Sequence, residues 1–245
     1  MREATRIYAA DLPSWETLPN TLILGGDEVH VWRAPLDLDD TALDALIRTL
    51  GDDERARADR FRFARDRHRF VAGRGVLRAL LARYLASPPS RIRLRYGAGG
   101  KPMLALEPGA PDLRFNLSHA DGIVLVAIAR GRELGVDVEG VAPGRATGAM
   151  IERCLTHREV AALRALPPDR QPEAFFRCWT RKEAVVKGRG EGLTLSPRSI
   201  EVSLDEDGPP ALLAIAGDAA EASRWSLRDL RAGVGYVAAL AVDAP

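Results

Sequence analysis

The sequence predicts an α+β protein of two similar lobes, each a small, mainly antiparallel sheet packed on a long helix. Two observations predict it. Along the 245 residues, the order helix, long helix, run of strands occurs twice. The segments LRFNLSHADGIVLVAIA and RWSLRDLRAGVGYVAALAV read as counterpart hairpins, roughly 111–113 residues apart, far above solenoid periods and so indicative of duplicated lobes. Strands gathered in runs favour α+β over an alternating parallel sheet. The lobes are expected at 1–140, with an N-terminal extension 1–27, and at 151–245. The Gly/Ala/Pro-rich stretch 141–150 would connect them.

Each element has a local reason. Glu28 to Arg33 alternates, with Val29 and Val31 on one side, and predicts a strand. Asp39-Asp40 opens a helix carrying Leu43, Leu46, Ile47 and Leu50, stopped at Gly51. A short charged helix follows from about Asp53. A long helix from about Arg65 to Leu85 carries Val71, Val76, Leu77, Leu80 and Leu81, and Pro88-Pro89 ends it. Arg91–Tyr96, Leu113–Leu117, Ile123–Ala129 and Leu134–Val138 read as strands. In the second half, Thr156 with Glu159 is a capping box for a helix to about Leu166. A second long helix contains WTRKEAVVK, terminated by glycines 188, 190 and 192. Strands follow at about 198–204, 211–215, 224–230 and 234–242.

Composition excludes several classes. A chain 46% hydrophobic and 28% charged is globular and soluble. No apolar run has the length of a membrane span and the N-terminus lacks an apolar signal core, so cytoplasm is the expected location. Cys154 and Cys178 lack CxxC spacing and read as small buried hydrophobes, not a disulfide framework or a zinc site. Net charge is only +1, yet Arg55 to Lys101 holds fourteen basic residues against Asp59 and Asp66. That excess suits an anionic partner such as nucleic acid, phosphate groups or an acidic protein surface, and suits a solvated arginine-rich helix face equally.

The chemistry-bearing residues fall in four motifs. In GVDVEGV, Asp137 and Glu139 share one strand face while Val136 and Val138 take the other. Adjacent like charges are tolerated when solvated or when a cation sits between them. In WTRKEAVVK, Glu183 and Lys187 lie one helical turn apart, a spacing that by itself describes an ordinary pair worth about 0.2–0.5 kcal/mol. With Glu183 the chain has three candidate carboxylates and no matched histidine or thiolate set. Oxygen-only ligation selects a hard ion such as Mg²⁺ and implies phosphate chemistry, with Lys182 and Lys187 to take up phosphate charge. YGAGGKPML offers Gly100, Lys101 and Pro102 in a turn open to a ligand, or a simple hairpin turn. FNLSHADG offers Asn116, Ser118 and His119 as donors beside a strand end. Two other readings compete: a metal-dependent nuclease, and a nucleic-acid-binding module using 55–101.

Taken in order, GKP, NLSH, GVDVE and WTRKEAVVK, with ARDRHRFVAGR on the first long helix, resemble the surfactin-synthetase type of 4'-phosphopantetheinyl transferase. The Trp and Lys-Glu-Ala wording is similar to the branch that serves polyketide or peptide synthetases. The resemblance implies a pseudo-twofold monomer with coenzyme A in its cleft. The phosphopantetheine arm would pass to a serine hydroxyl of an apo acyl or peptidyl carrier protein, releasing adenosine 3',5'-bisphosphate. It implies no nucleic-acid or membrane partner. Asp137, Glu139 and Glu183 would bind Mg²⁺ on the pyrophosphate, and Glu183 would also be the candidate base for the carrier serine, directly or through a metal-bound water. Lys187 would neutralise the pyrophosphate and Lys182 would pair with phosphate nearby. Asn116, Ser118 and His119 would face coenzyme A, with Gly100, Lys101 and Pro102 at its adenine end. Arg65 and Arg69 would hold the 3'-phosphate side, with Arg60 beside them. Phe175, Phe176 and the segment after Glu139 are candidates for the rim that docks the carrier, although Phe175 and Phe176 read more readily as core.

Overall fold

The structure of the chain, a computed structural model, describes residues 5–12, 18–97, 99–105, 109–204 and 208–244. Its first strands are β1 (Arg6–Asp11) and β2 (Glu28–Pro35), followed by helices α1 (Asp40–Ile47), α2 (Asp52–Ala58) and α3 (Ala64–Tyr84). Strands β3 (Leu94–Tyr96), β4 (Pro102–Leu104), β5 (Leu113–Ala120), β6 (Ile123–Arg130) and β7 (Leu134–Gly140) come next. Helices α4 (Gly148–Cys154), α5 (His157–Ala165) and α6 (Gln171–Arg189) precede β8 (Ile200–Val202) and β9 (Leu212–Ile215). A short α7 (Ala219–Ala222), β10 (Trp225–Leu230) and β11 (Tyr236–Asp243) complete the order. This is the expected α+β class.

Contacts divide the chain into two units. The first runs through Arg95 and adds Pro102–Gly131; the second is Tyr96–Lys101 with everything from Arg132 onward. The expected lobe boundary at residue 140 therefore falls late. β7 pairs antiparallel with β11, Asp137 opposite Ala239 and Glu139 opposite Val237, and belongs to the second unit. The expected connector also carries structure, a 3-10 turn at Pro143–Arg145 and the start of α4 at Gly148.

In the first unit the sheet order is β1-β2-β6-β5. β2, β6 and β5 are antiparallel neighbours, whereas β1 runs parallel to β2 as an exposed edge strand made from the N-terminal extension. α3 buries Val71, Val76, Leu77, Leu80 and Leu81 in one core with Phe115, Val124, Val126 and Ile128 of the sheet. Part of the basic segment turns inward. Arg78 donates to Glu54 at 2.5 Å and Arg74 lies 3.7 Å from the same carboxylate, all three residues being buried. Glu54 sits just outside the counted stretch, so the apparent charge excess overstates what faces solvent.

A polar cluster ties β2 to the end of α3. The Tyr84 hydroxyl accepts from Trp32 Nε1 at 2.9 Å and lies 2.6 Å from His30 Nδ1, which accepts the hydroxyl proton in the neutral Nε2–H tautomer. Burial holds the His30 pKa below the ordinary histidine value, outweighing the Glu28 carboxylate that opposes it. A base with a depressed folded pKa stabilises the fold above its unfolded pKa and loses that contribution as pH falls through the folded value. Denaturant midpoints should therefore fall between neutral and mildly acidic pH. His30→Gln should flatten that slope, and an unchanged slope would reject the assignment.

In the second unit the sheet order is β10-β11-β7, wholly antiparallel, with α6 packed on β7 and β11. Phe175 and Phe176 are fully buried in its core with Ala184, Val185, Ala239 and Ala241, so neither can serve in a docking rim. The capping box of Thr156 and Glu159 forms as expected, and α6 ends on Gly190 in the left-handed region, φ 71°. Among the described residues no helix is long and apolar enough to cross a membrane.

Candidate active site

Two glycines let a helix and a strand come together at backbone distance. A Cβ on Gly135 of β7 would lie 2.0 Å from the Ala184 carbonyl oxygen and 2.2 Å from the Gly188 nitrogen, both on α6. A Cβ on Gly188 would in turn meet the Trp225 ring at 2.6 Å. Only residues without side chains permit such an approach. It sets the face of α6 bearing Glu183 and Lys187 against the face of β7 bearing Asp137 and Glu139.

The four charged groups then couple. Lys187 donates to Asp137 Oδ1 at 2.6 Å, and Asp137 is only 3% exposed. Trp179 Nε1 donates to Glu139 Oε1 at 3.1 Å, and Arg145 stands 4.0 Å from the other oxygen. Burial pushes the Glu139 pKa up, and the charge of Asp137 adds to it, against Trp179, Arg145 and Lys187. Glu183 is half-buried and is pushed up by the same causes in the same order, burial and then Asp137, with Lys187 opposing and Glu139 adding a smaller push. Asp137 raises the proton affinity of both Glu139 and Glu183, so the three carboxylates share a neighbourhood.

Their donor set suits a hard divalent cation. The repulsion that lifts Glu139 and Glu183 is the kind a cation relieves. The acids are neighbours without forming a closed cage: among the described residues, no group of three His, Cys, Asp or Glu side chains converges at ligating geometry. Like charges stay apart, and the Lys187 ammonium already answers Asp137.

Lys182 differs from the expectation. It is fully buried, with Nζ donating to Glu159 Oε2 at 2.5 Å, Pro197 O at 3.1 Å and Cys154 O at 3.2 Å, so it has no access to a phosphate. One residue on a helix is a turn of 100°, and that step carries Lys182 into the core while Glu183 faces β7. Lys101 is likewise committed: its ammonium donates to Glu133 at 2.9 Å, Gly188 O at 2.9 Å and Leu134 O at 3.1 Å. Three acceptors use all three donors, so Lys101 anchors its turn to the end of α6 and is not a free cation for phosphate. Its neighbour Gly100 takes a positive φ of 76°, as the turn demands.

The remaining predicted residues lie in the first unit. Asn116 and Ser118 are buried on one face of β5, and His119 is exposed on the other face at the strand end. Arg69 forks onto Asp37 at 2.7 and 2.8 Å, which depresses the Asp37 pKa. Arg65 and Arg60 are exposed. Sequence reasoning did not find Gly135 and Gly188 as packing residues, nor Trp179 as a hydrogen-bond donor to Glu139. The glycines adjoin the DVE and KEAVVK motifs, and that adjacency was the available signal.

A family model described as "4'-phosphopantetheinyl transferase superfamily" matches residues 133–241, which carry all four charged groups. A second, "4'-phosphopantetheinyl transferase, N-terminal", matches residues 37–130. The chain is 39% identical over 229 residues to the 4'-phosphopantetheinyl transferase HetI of Nostoc sp., covering 94% of this chain and 93% of that one. It is 31% identical over 165 residues to a 4'-phosphopantetheinyl transferase of Bacillus subtilis, covering 67% and 71%. It is 31% identical over 166 residues to the human L-aminoadipate-semialdehyde dehydrogenase-phosphopantetheinyl transferase, covering 64% and 54%.

Proposed function

Because the chain belongs to the 4'-phosphopantetheinyl transferase superfamily, we propose that it moves the 4'-phosphopantetheine arm of coenzyme A to a serine hydroxyl of an apo acyl or peptidyl carrier protein. The observation that carries the reading is the coupled set Asp137, Glu139, Glu183 and Lys187, contributed by β7 and α6 of one unit. These relatives lend no support to the nuclease alternative.

The serine oxygen attacks the phosphorus that bears the pantetheine arm. An oxygen–phosphorus bond forms, the bond to the second phosphate breaks, and its electron pair leaves with adenosine 3',5'-bisphosphate. Glu183 accepts the serine proton, a role suited by its raised proton affinity. Lys187, already beside Asp137, offsets negative charge that grows on the leaving group. A Mg²⁺ held by Asp137, Glu139 and Glu183 would offset the charge of the pyrophosphate. Trp179 and Arg145 hold Glu139 in place. Arg60, Arg65, Arg69, Asn116, Ser118 and His119 remain proposed contacts to coenzyme A. Gly100, Lys101 and Pro102 remain proposed at the adenine end, with the Lys101 ammonium anchoring their turn, and Lys182 serves the fold instead. We further propose that the enzyme acts as a monomer in the cytoplasm, consistent with two buried, unpaired cysteines.

Intact mass measurement tests the reading. An apo carrier incubated with coenzyme A, Mg²⁺ and this protein should gain the mass of one phosphopantetheine, and excess chelator should abolish the gain. No gain across several carriers would overturn the transfer, and full turnover in chelator would overturn the metal.

A further inference from the structure

We infer that the buried pair Lys182–Glu159 is a positioning device for the reaction, locking the roll of α6 so that Glu183 faces the carboxylates of β7. The inference rests on the transferase reading of that site. Lys182 and Glu159 are 0% and 2% exposed, and together they tie five segments of one unit. Lys182 donates to Glu159, to Cys154 O at the end of α4 and to Pro197 O in the turn before β8. Glu159 accepts from Thr156 N at 2.7 Å, capping α5, and from Val202 N at 2.9 Å on β8.

Nothing in the packing of this core needs a charge there. Phe175, Cys178 and Val185 flank position 182 along the same helical stripe and are buried. An apolar residue of similar length would extend that stripe, and buried ion pairs are generally no better for stability than well-packed apolar substitutes. What the pair adds is direction. Three acceptors from separate segments fix one ammonium in three dimensions, and a helix fixed at residue 182 is fixed at residue 183. The glycine contacts with β7 fix how closely α6 approaches, but apolar contacts at position 182 would leave its roll less defined, and a small roll displaces Glu183 relative to Asp137 and Glu139.

The test is the electroneutral double variant Lys182→Met with Glu159→Gln, which leaves no unpaired charge and keeps an acceptor for the cap. Its kcat should fall at least tenfold, with KM for coenzyme A within threefold of wild type. Hydrogen exchange of the α6 amides around Thr180–Ala184 should quicken in metal-free buffer. Ile215→Ala, in the same buried cluster but outside the hydrogen bonds of Lys182 and Glu159, supplies a destabilised comparison that should keep kcat. A double variant with wild-type kcat and exchange would overturn the positioning role, as would an equal kcat loss in Ile215→Ala. If the double variant fails to fold, Lys182→Gln with Glu159→Gln, equally free of buried charge, carries the same split. Absence of turnover in the wild type would instead reject the transferase reading, so the two failures are distinct.

Discussion

Glu183→Gln should cut carrier modification by about 10²–10⁴-fold, the range general-base removal commonly costs, while leaving the fold at least as stable as wild type. The substitution preserves shape and helix propensity and removes only the proton acceptor and the charge. That charge is held at a cost: burial and the nearby Asp137 carboxylate raise the Glu183 pKa, and Lys187 recovers only part. For an acid with a raised folded pKa, the folded state keeps its proton longer than the unfolded one, so stability declines as pH rises through the folded value. Gln cannot ionise and should be spared that decline. Initial rates on an apo carrier, with thermal melts in metal-free buffer across pH, measure both halves. Undiminished turnover would remove Glu183 from the chemistry, and a large loss of melting temperature would make it structural.

Much of this site was legible because its spacings are helical and strand periods. Period two put Asp137 and Glu139 on one face, and the i,i+4 spacing did the same for Glu183 and Lys187. The structure adds the juxtaposition of those faces, which depends on Gly135 and on where α6 docks. Lys182 was misread as a phosphate contact because a lysine beside a functional glutamate suggests shared duty. The contrary sign was present, since Lys182 continues the buried stripe of Phe175, Cys178 and Val185. Glu159 was readable as half of a capping box, but its partner is 23 residues away and no local rule names it. The assignment of β7 to the second unit and the parallel pairing of β1 are long-range ladder choices. Hydrophobic alternation identifies β7 without saying which neighbour it takes, and the exposed β1 has no buried alternating face by which to be read at all.

Gly135→Ala should be among the most disruptive single substitutions in the second unit, costing about 3 kcal/mol and most of the activity together. The added methyl would meet the Ala184 carbonyl and the Gly188 amide, which are backbone atoms with no rotamer through which to yield. Relief requires α6 to lift away from β7. Since Lys187 reaches Asp137 and Trp179 reaches Glu139 across that same seam, lifting the helix also loosens the hydrogen bonds that assemble the site. Gly144→Ala makes the control, because a Cβ there meets nothing within 4 Å, and it should stay within about 0.5 kcal/mol of wild type. Urea unfolding of both variants, read beside turnover, decides the matter. If Gly135→Ala matches Gly144→Ala in both measurements, the helix and strand are not held at backbone distance, and some other contact must bring Glu183 to Asp137 and Glu139.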